Sequence, residues 1–135
     1  MSISYQVETI TAHQFVDILA RSGLGARRPV EDLPRLQRML DGADLVITAR
    51  ESATGKIVGV ARSLTDWSYA CYLADLAVDV SYQRKGIGAK MIELTREHAG
   101  DESFCLLISA PEAVDFYRAI GMPPADRAFM YPRLK

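Results

Sequence analysis

Cysteine and histidine are scarce in this chain of 135 residues: Cys71, Cys105, His13 and His98 are all there is, and no spacing among them suits a metal or a redox motif. No metal site is therefore expected, and the two thiols, each on a predicted strand, are read as buried, reduced and inert. Charge of one sign is also missing. The 16 Lys and Arg stand against 17 Asp and Glu, so global electrostatics draw neither nucleic acid nor a membrane surface. No apolar run approaches the ~20 residues of a spanning helix, and the first residues lack a basic segment followed by an apolar signal core. A cytoplasmic protein is expected. Repeats, low-complexity tracts and linker-like stretches are absent too, so residues 1–135 read as one domain, long enough to bury a core without disulfides or metals.

What is present is a succession of short amphipathic segments. Ile3 to Glu8 alternates in the period-two manner of a half-buried strand, and Thr11 can cap a helix carrying Phe15, Ile18, Leu19 and Ser22 on one face, ended by Gly23 and Gly25. Asp32 can cap a second helix with Leu33, Leu36, Met39 and Leu40 as its stripe, Pro34 in its first turn and Gly42 at its end. Leu45 to Ala49 and Lys56 to Leu64 read as strands joined by the turn Ser52-Ala53-Thr54-Gly55, and Ala70 to Val80 is the next strand. A third helix begins near Gly86 and carries Ile87, Met91, Ile92, Leu94 and His98. Phe104 to Ser109 is a continuous apolar run, expected to be a strand buried on both faces. Pro111 starts a fourth helix with Ala113, Phe116, Tyr117 and Ile120 on one side, Gly121 stops it, and Ala128 to Tyr131 reads as a final strand. Strand 70–80, helix 86–98 and strand 104–109 form a βαβ unit, which requires a right-handed crossover and parallel strands. The remaining strands suit antiparallel hairpins, giving an α/β mixed sheet with helices on both faces.

One stretch carries chemistry. In Asp75-Leu-Ala-Val-Asp-Val-Ser-Tyr-Gln-Arg-Lys-Gly-Ile-Gly-Ala-Lys90 an apolar strand runs through a polar turn into a glycine-punctuated helix start. The first turn of such a helix presents N–H groups without intrahelical partners. With the helix dipole and the basic Arg84 and Lys85 beside them, these suit a pyrophosphate. A Walker A loop would need Gly-Lys-Ser/Thr, but Gly88 is followed by Ala89-Lys90-Met91; a dinucleotide fingerprint would need Gly or Ala where Met91 stands.

Gln83-Arg84-Lys85-Gly86-Ile87-Gly88 resembles the Gln/Arg-x-x-Gly-x-Gly/Ala signature of the GNAT superfamily of acyl-CoA-dependent N-acyltransferases. Leu76-Ala77-Val78-Asp79 is similar to that family's central strand, Tyr82 falls in its turn, and Asp115-Phe116-Tyr117-Arg118-Ala119-Ile120-Gly121-Met122 is similar to its later Phe-Tyr-x-x-x-Gly-Phe motif. The resemblance spans roughly the second half of the chain, and the order β-α-α-β-β-β-α-β-α-β matches the family core. It implies a GNAT-like fold, acetyl-CoA as co-substrate and direct transfer of the acetyl group, in a ternary complex, to a primary amine of a small molecule or peptide. Residues Arg84, Lys85, Gly86, Ile87, Gly88, Ala89 and Lys90 are the implied pyrophosphate site. Backbone groups of Leu76, Ala77 and Val78 would bond the pantetheine arm as an added strand, and a backbone N–H there can hold the thioester oxygen.

The resemblance also implies Tyr117 as the acid that protonates the departing thiolate, against the alternative of a core tyrosine packed beside Phe116. A base is needed to deprotonate the amine: Asp75, next to the pantetheine strand, is the first candidate and Asp66 the second, while His13 and His98 occupy positions suited to surface or packing. Many family members carry Asn seven residues before the tyrosine, where Ala110 stands here, so one side-chain contact to the cofactor is missing, and Met122 replaces the usual Phe. The acceptor pocket is assigned to the segments around Arg27 and Arg28, which could meet an anion, and around Trp67 and Tyr69, which could stack on a ring or a cation. A homodimer is possible on the same family grounds. A non-catalytic acyl-CoA sensor or interaction module would keep the loop but need neither acid nor base.

Overall fold

In the computed structural model, which describes residues 2–135, the chain runs β1 (Ile3–Val7), α1 (Ala12–Ser22), α2 (Leu33–Asp41), β2 (Leu45–Glu51), β3 (Ile57–Thr65), β4 (Ala70–Val78), α3 (Ile87–Ala99), β5 (Phe104–Leu106) and α4 (Val114–Ala119). Short 3-10 turns occupy Leu24–Arg27, Val80–Tyr82 and Pro111–Ala113. The five strands form one sheet in the order β1-β2-β3-β4-β5, antiparallel except for the β4–β5 pair, which is parallel as the crossover argument requires. No helix among the described residues is long and apolar enough to cross a membrane.

Local chemistry sets the helix starts. Thr11 forms a capping box with Gln14, and Asp32 accepts from the Arg35 N–H at 3.0 Å, with Pro34 in the first turn of α2. Period-two alternation along the strands then sends neighbouring residues to opposite faces. On one face Phe15, Ile18, Leu19 and Leu36 of α1 and α2 pack on Val46, Val60 and Ala77. On the other, Ile87, Met91 and Ile92 of α3 pack on Ile47, Val58 and Leu73. A fully buried side chain of this size contributes about 1.5–3 kcal/mol, so these two layers fix the helices on the sheet.

A β-bulge interrupts β4. Its register with β3 pairs Arg62 with Asp75 and Ser63 with Leu73, leaving Ala74 unmatched. The extra residue reverses the alternation: Leu73 faces α3, whereas Asp75 and Ala77 face α1 and α2.

Two expectations are corrected. The last strand, Ala128 to Tyr131, is not formed, and among the described residues, 123–134 make no backbone–backbone hydrogen bond to the rest of the fold. Consequently β5 is an outer strand. It extends over Phe104–Leu106 alone, with Phe104 52% and Ile108 54% exposed, where a strand buried on both faces was expected. In α3 the buried face runs through Gly88, Met91, Ile92, Thr95 and Ala99, and His98 lies on the surface with its Nδ1 bonded to the Leu94 carbonyl.

Candidate active site

The site begins where two parallel strands part. Pairing of β4 with β5 extends over Ala70–Phe104, Cys71–Cys105 and Tyr72–Leu106, and from Leu73 to Val78 the β5-side edge of β4 has no strand beside it. An extended ligand can hydrogen-bond to such an edge as a strand would. The Val78 carbonyl already accepts from the Gln83 side chain at 3.1 Å, which folds the following turn back onto the strand end.

That turn gathers unpaired backbone donors and cations. Asp79 caps it by accepting from the Ser81 N–H, and its other oxygen accepts from Arg21 Nη1 at 2.6 Å. Arg84 at φ 65° and Gly86 at φ 82° both adopt the left-handed conformation. For Arg84 this conformation is strained; glycine takes it freely. Gly86 also has no side chain to cap α3, and the first intrahelical bond runs from Lys90 N–H to the Gly86 carbonyl. The N–H groups of Ile87, Gly88 and Ala89 are left for a ligand. Lys85 and Arg84 are exposed beside them, and Lys90 is shared with Glu93 at 3.6 Å.

Helix α4 closes the far side. A Cβ on Gly88 would stand 3.1 Å from Phe116 Cζ and 3.7 Å from Val78 Cγ2, so the absent side chain is what lets α4 approach the start of α3. Tyr117 packs edge-on to Phe116, half-buried against the α3 layer, and burial raises its phenol above the usual value. It therefore stays protonated, a donor, at neutral pH. The structure thus brings Tyr117 of α4 into the same apolar layer as Leu76 and Val78 of β4 and Ile87 at the start of α3, although α4 lies well beyond them in sequence.

The acceptor side differs from expectation. Asp75 is 1% exposed; its Oδ1 accepts from Arg28 Nε and its Oδ2 from Arg62 Nε, each at 2.5 Å. A buried carboxylate holding two guanidinium groups is an anchor, which corrects its assignment as the amine's base. Arg28 is corrected with it. Besides Asp75, it donates to the Ala74 carbonyl at the bulge and to the Arg27 carbonyl, so it ties the α1–α2 connection to β4 and is not a free anion receptor. Asp66 is a turn organiser: its Oδ1 accepts from the N–H groups of Ser68, Tyr69 and Ala70, which lower its pKa and so weaken it as a base. Arg27, Trp67 and Tyr69 are exposed, Trp67 with a left-handed backbone (φ 62°) and Tyr69 edge-on to Phe104 at 5.8 Å.

Sequence reasoning passed over Arg62 and Arg21. Each had one visible signal: Arg62 is a lone cation inside the apolar run Val58–Leu64, a position that demands a partner, and Arg21 sits in the last turn of an amphipathic helix. Arg21 donates to Asp79 and to the Ile57 carbonyl, so Asp75 and Asp79, at either end of Leu76-Ala77-Val78, are both held by arginines from the α1–α2 region. The cysteines are free and face one another across β4 and β5. Burial, with the Cys71 sulfur alongside as second cause, pushes the Cys105 thiol up to about 11, a state that suits an inert thiol. Among the described residues no group of three His, Cys, Asp or Glu side chains is placed to hold a metal.

Comparison with known proteins gives the same answer as the geometry. A relative from Arabidopsis thaliana, GCN5-related N-acetyltransferase 1, chloroplastic, is 27% identical over 95 residues, which cover 69% of this chain and 48% of that protein. The chain thus spans about half the length of this curated relative. Among solved structures, a GNAT-family acetyltransferase of Streptococcus pneumoniae superposes with TM-score 0.78 at 19% identity, covering 99% of this chain and 100% of that one. AAC(6')-Iy, in complex with the bisubstrate analogue CoA-S-monomethyl-acetylneamine, superposes with TM-score 0.71 at 15% identity over 98% and 99% of the two chains. At these identities the likeness is one of fold. Residues 12–122 match the acetyltransferase (GNAT) family, and the chain belongs to that family.

Proposed function

We propose that the protein transfers an acetyl group from acetyl-CoA directly to a primary amine of a small molecule or peptide, both substrates being bound together. The observation that carries this reading is the parting of β4 from β5 after Tyr72, which leaves Leu76, Ala77 and Val78 with an open backbone edge leading to the loop Arg84–Lys90. In this reading the pantetheine arm lies along that edge, and the pyrophosphate sits on the N–H groups of residues 87–89 beside Arg84 and Lys85. The acetyl carbonyl then lies toward the apex of the gap, where a β4 N–H stabilises the oxyanion.

The amine nitrogen attacks the thioester carbon, the C–S bond breaks, and the amine's proton leaves to water. Tyr117 donates to the departing sulfur. A thiol titrates near ~8.5 and a phenol near ~10, and burial raises this phenol further, so full proton transfer between the separated groups is uphill. The phenol therefore acts chiefly by hydrogen-bonding the thiolate as charge develops, with solvent completing protonation. With both oxygens of Asp75 engaged by arginines, the amine must arrive neutral or lose its proton through water. Arg27, Trp67 and Tyr69 remain as the acceptor-facing side chains, and Arg28 acts as a positioning residue. CoA release measured with a thiol reagent, across a panel of amines and with an amine-free control, tests the reading. Amine-dependent release is expected. Tight acetyl-CoA binding with no release for any amine would turn the protein into a sensor.

A further inference from the structure

The turn from Asp79 to Gly86 is held by hydrogen bonds and very little by packing. Asp79 is its one buried residue, Tyr82 is half-buried, and the others face water. Yet the turn keeps Arg84 left-handed, and a strained non-glycine residue persists only where its surroundings over-determine it. The Gln83 side chain donates to the Val78 carbonyl, and the Tyr82 hydroxyl donates to Glu51 of β2. Most of the bonds converge on Asp79. Its N–H donates to the Val58 carbonyl at 2.9 Å, its carbonyl accepts from the Tyr82 N–H at 2.8 Å, and its Oδ1 accepts from the Ser81 N–H at 2.8 Å. Its Oδ2 points out of the turn and accepts from Nη1 of Arg21, 58 positions earlier in the chain, at 2.6 Å.

We propose that Arg21 is a positioning residue for acetyl-CoA: by fixing Asp79 it presets the turn 79–86, and with it the N–H groups at the start of α3, for the pyrophosphate. This rests on the reading above, in which the pyrophosphate sits on residues 87–89. Arg21 is no ligand of the cofactor. Its guanidinium nitrogens are all engaged, Nη1 by Asp79, Nη2 by the Ile57 carbonyl at 2.6 Å and Nε by Asp17 at 3.0 Å, so it acts through Asp79. The pair is largely withdrawn from water, with side-chain exposure of 23% for Arg21 and 6% for Asp79, and a charge-assisted bond in such a place is stronger than an ion pair at the surface. A turn held in its binding geometry in advance spares the cofactor the cost of ordering it. Arg28 holds the other end of Leu76-Ala77-Val78 through Asp75. The two arginines thus divide the site, Arg21 serving the cofactor end and Arg28 the acceptor end.

Two ligands measured on the intact chain test this without any acceptor: acetyl-CoA by calorimetry, and S-acetylpantetheine, which lacks the pyrophosphate, by displacement calorimetry. The wild type should bind acetyl-CoA more tightly by about 100-fold or more. Arg21→Gln should weaken acetyl-CoA about 10-fold, or ~1.4 kcal/mol, and S-acetylpantetheine less than about twofold. Arg21→Lys should recover part of the loss, since an ammonium keeps the charge but lacks the fork that spans Asp79 and the Ile57 carbonyl. Asp79→Asn, whose amide oxygen can still accept from Ser81, should match Arg21→Gln, and it decides the matter if Arg21→Gln does not fold. The double variant should bind no more weakly than either single one, because both changes remove the same contact. A wild type that binds the two ligands alike overturns the placement of the pyrophosphate, and this proposal with it. A wild-type preference that survives undiminished in the variants overturns this proposal alone, whether both ligands are unaffected or both are weakened equally. Additive losses in the double variant overturn it too.

Discussion

Replacing Asp75 with asparagine separates an anchor from a base. The carboxylate is buried between Arg28, whose side chain is 23% exposed, and Arg62, whose side chain is 9% exposed. A neutral amide leaves Arg62 buried with the Met39 carbonyl and no counter-charge. Breaking one side of a buried pair in this way costs about 3–5 kcal/mol, a large part of the roughly 5–15 kcal/mol that holds a domain together. At a urea slope of ~1–3 kcal/mol/M, the unfolding midpoint should fall by roughly 2 M. Arg28→Gln leaves the Asp75–Arg62 pair in place and removes the more exposed partner, so its cost should be smaller, about 1–2 kcal/mol. Its kinetic signature should be a raised acceptor KM with little change in acetyl-CoA binding, and Arg28→Lys should recover part of it. The pH profile decides the chemistry. If Asp75 is an anchor, kcat/KM in folded Asp75→Asn keeps an ascending limb that tracks the acceptor's own pKa. A variant with the wild-type urea midpoint and a flattened limb would refute the argument and restore Asp75 as the base.

Gly86→Asp should fold, because its new Cβ meets no atom within 4 Å and aspartate tolerates the left-handed conformation better than most residues. Its carboxylate would cap the N–H groups of α3 and repel the pyrophosphate, so calorimetry should show acetyl-CoA affinity reduced about 100-fold, or ~2.7 kcal/mol; unchanged affinity would move the site elsewhere. Tyr117→Phe should lower kcat by about 10²–10³, the cost of losing one hydrogen-bond donor to developing charge, while acetyl-CoA affinity stays the same, and an unaltered kcat would make Tyr117 a packing residue. Glu8 is held at about 2, first by its hydrogen bonds to Arg50, so its folded-state pKa lies below the unfolded value. The resulting stabilisation is present above pH ~4.5 and is lost as pH falls through about 2. Discounted for solvent screening, Glu8→Gln should cost about 1 kcal/mol at neutral pH, and the gap should close toward pH 2 in urea titrations.

The parts of the site that the sequence displayed are those whose physics is local. The helix start at Gly86 needs a left-handed residue, uncapped N–H groups and nearby cations, and all three lie within residues 84–90, where a reader of the chain can see them together. Asp75 was misread for the opposite reason. Its partners come from 47 and 13 residues away, and the unmatched Ala74 reverses the face on which it falls, so strict alternation along β4 gave no warning. The continuous apolar run of Phe104 to Ser109 likewise says how apolar the strand is but not whether a neighbour covers it, which depends on where residues 123–134 go. Charged residues inside apolar strands are nevertheless informative. Arg62 and Asp75 each violate the expectation for a buried strand, and two violations of opposite sign on successive strands, β3 and β4, are best satisfied by pairing across the ladder. That places a fixed carboxylate at the bulge, and the open edge of β4 begins beside it.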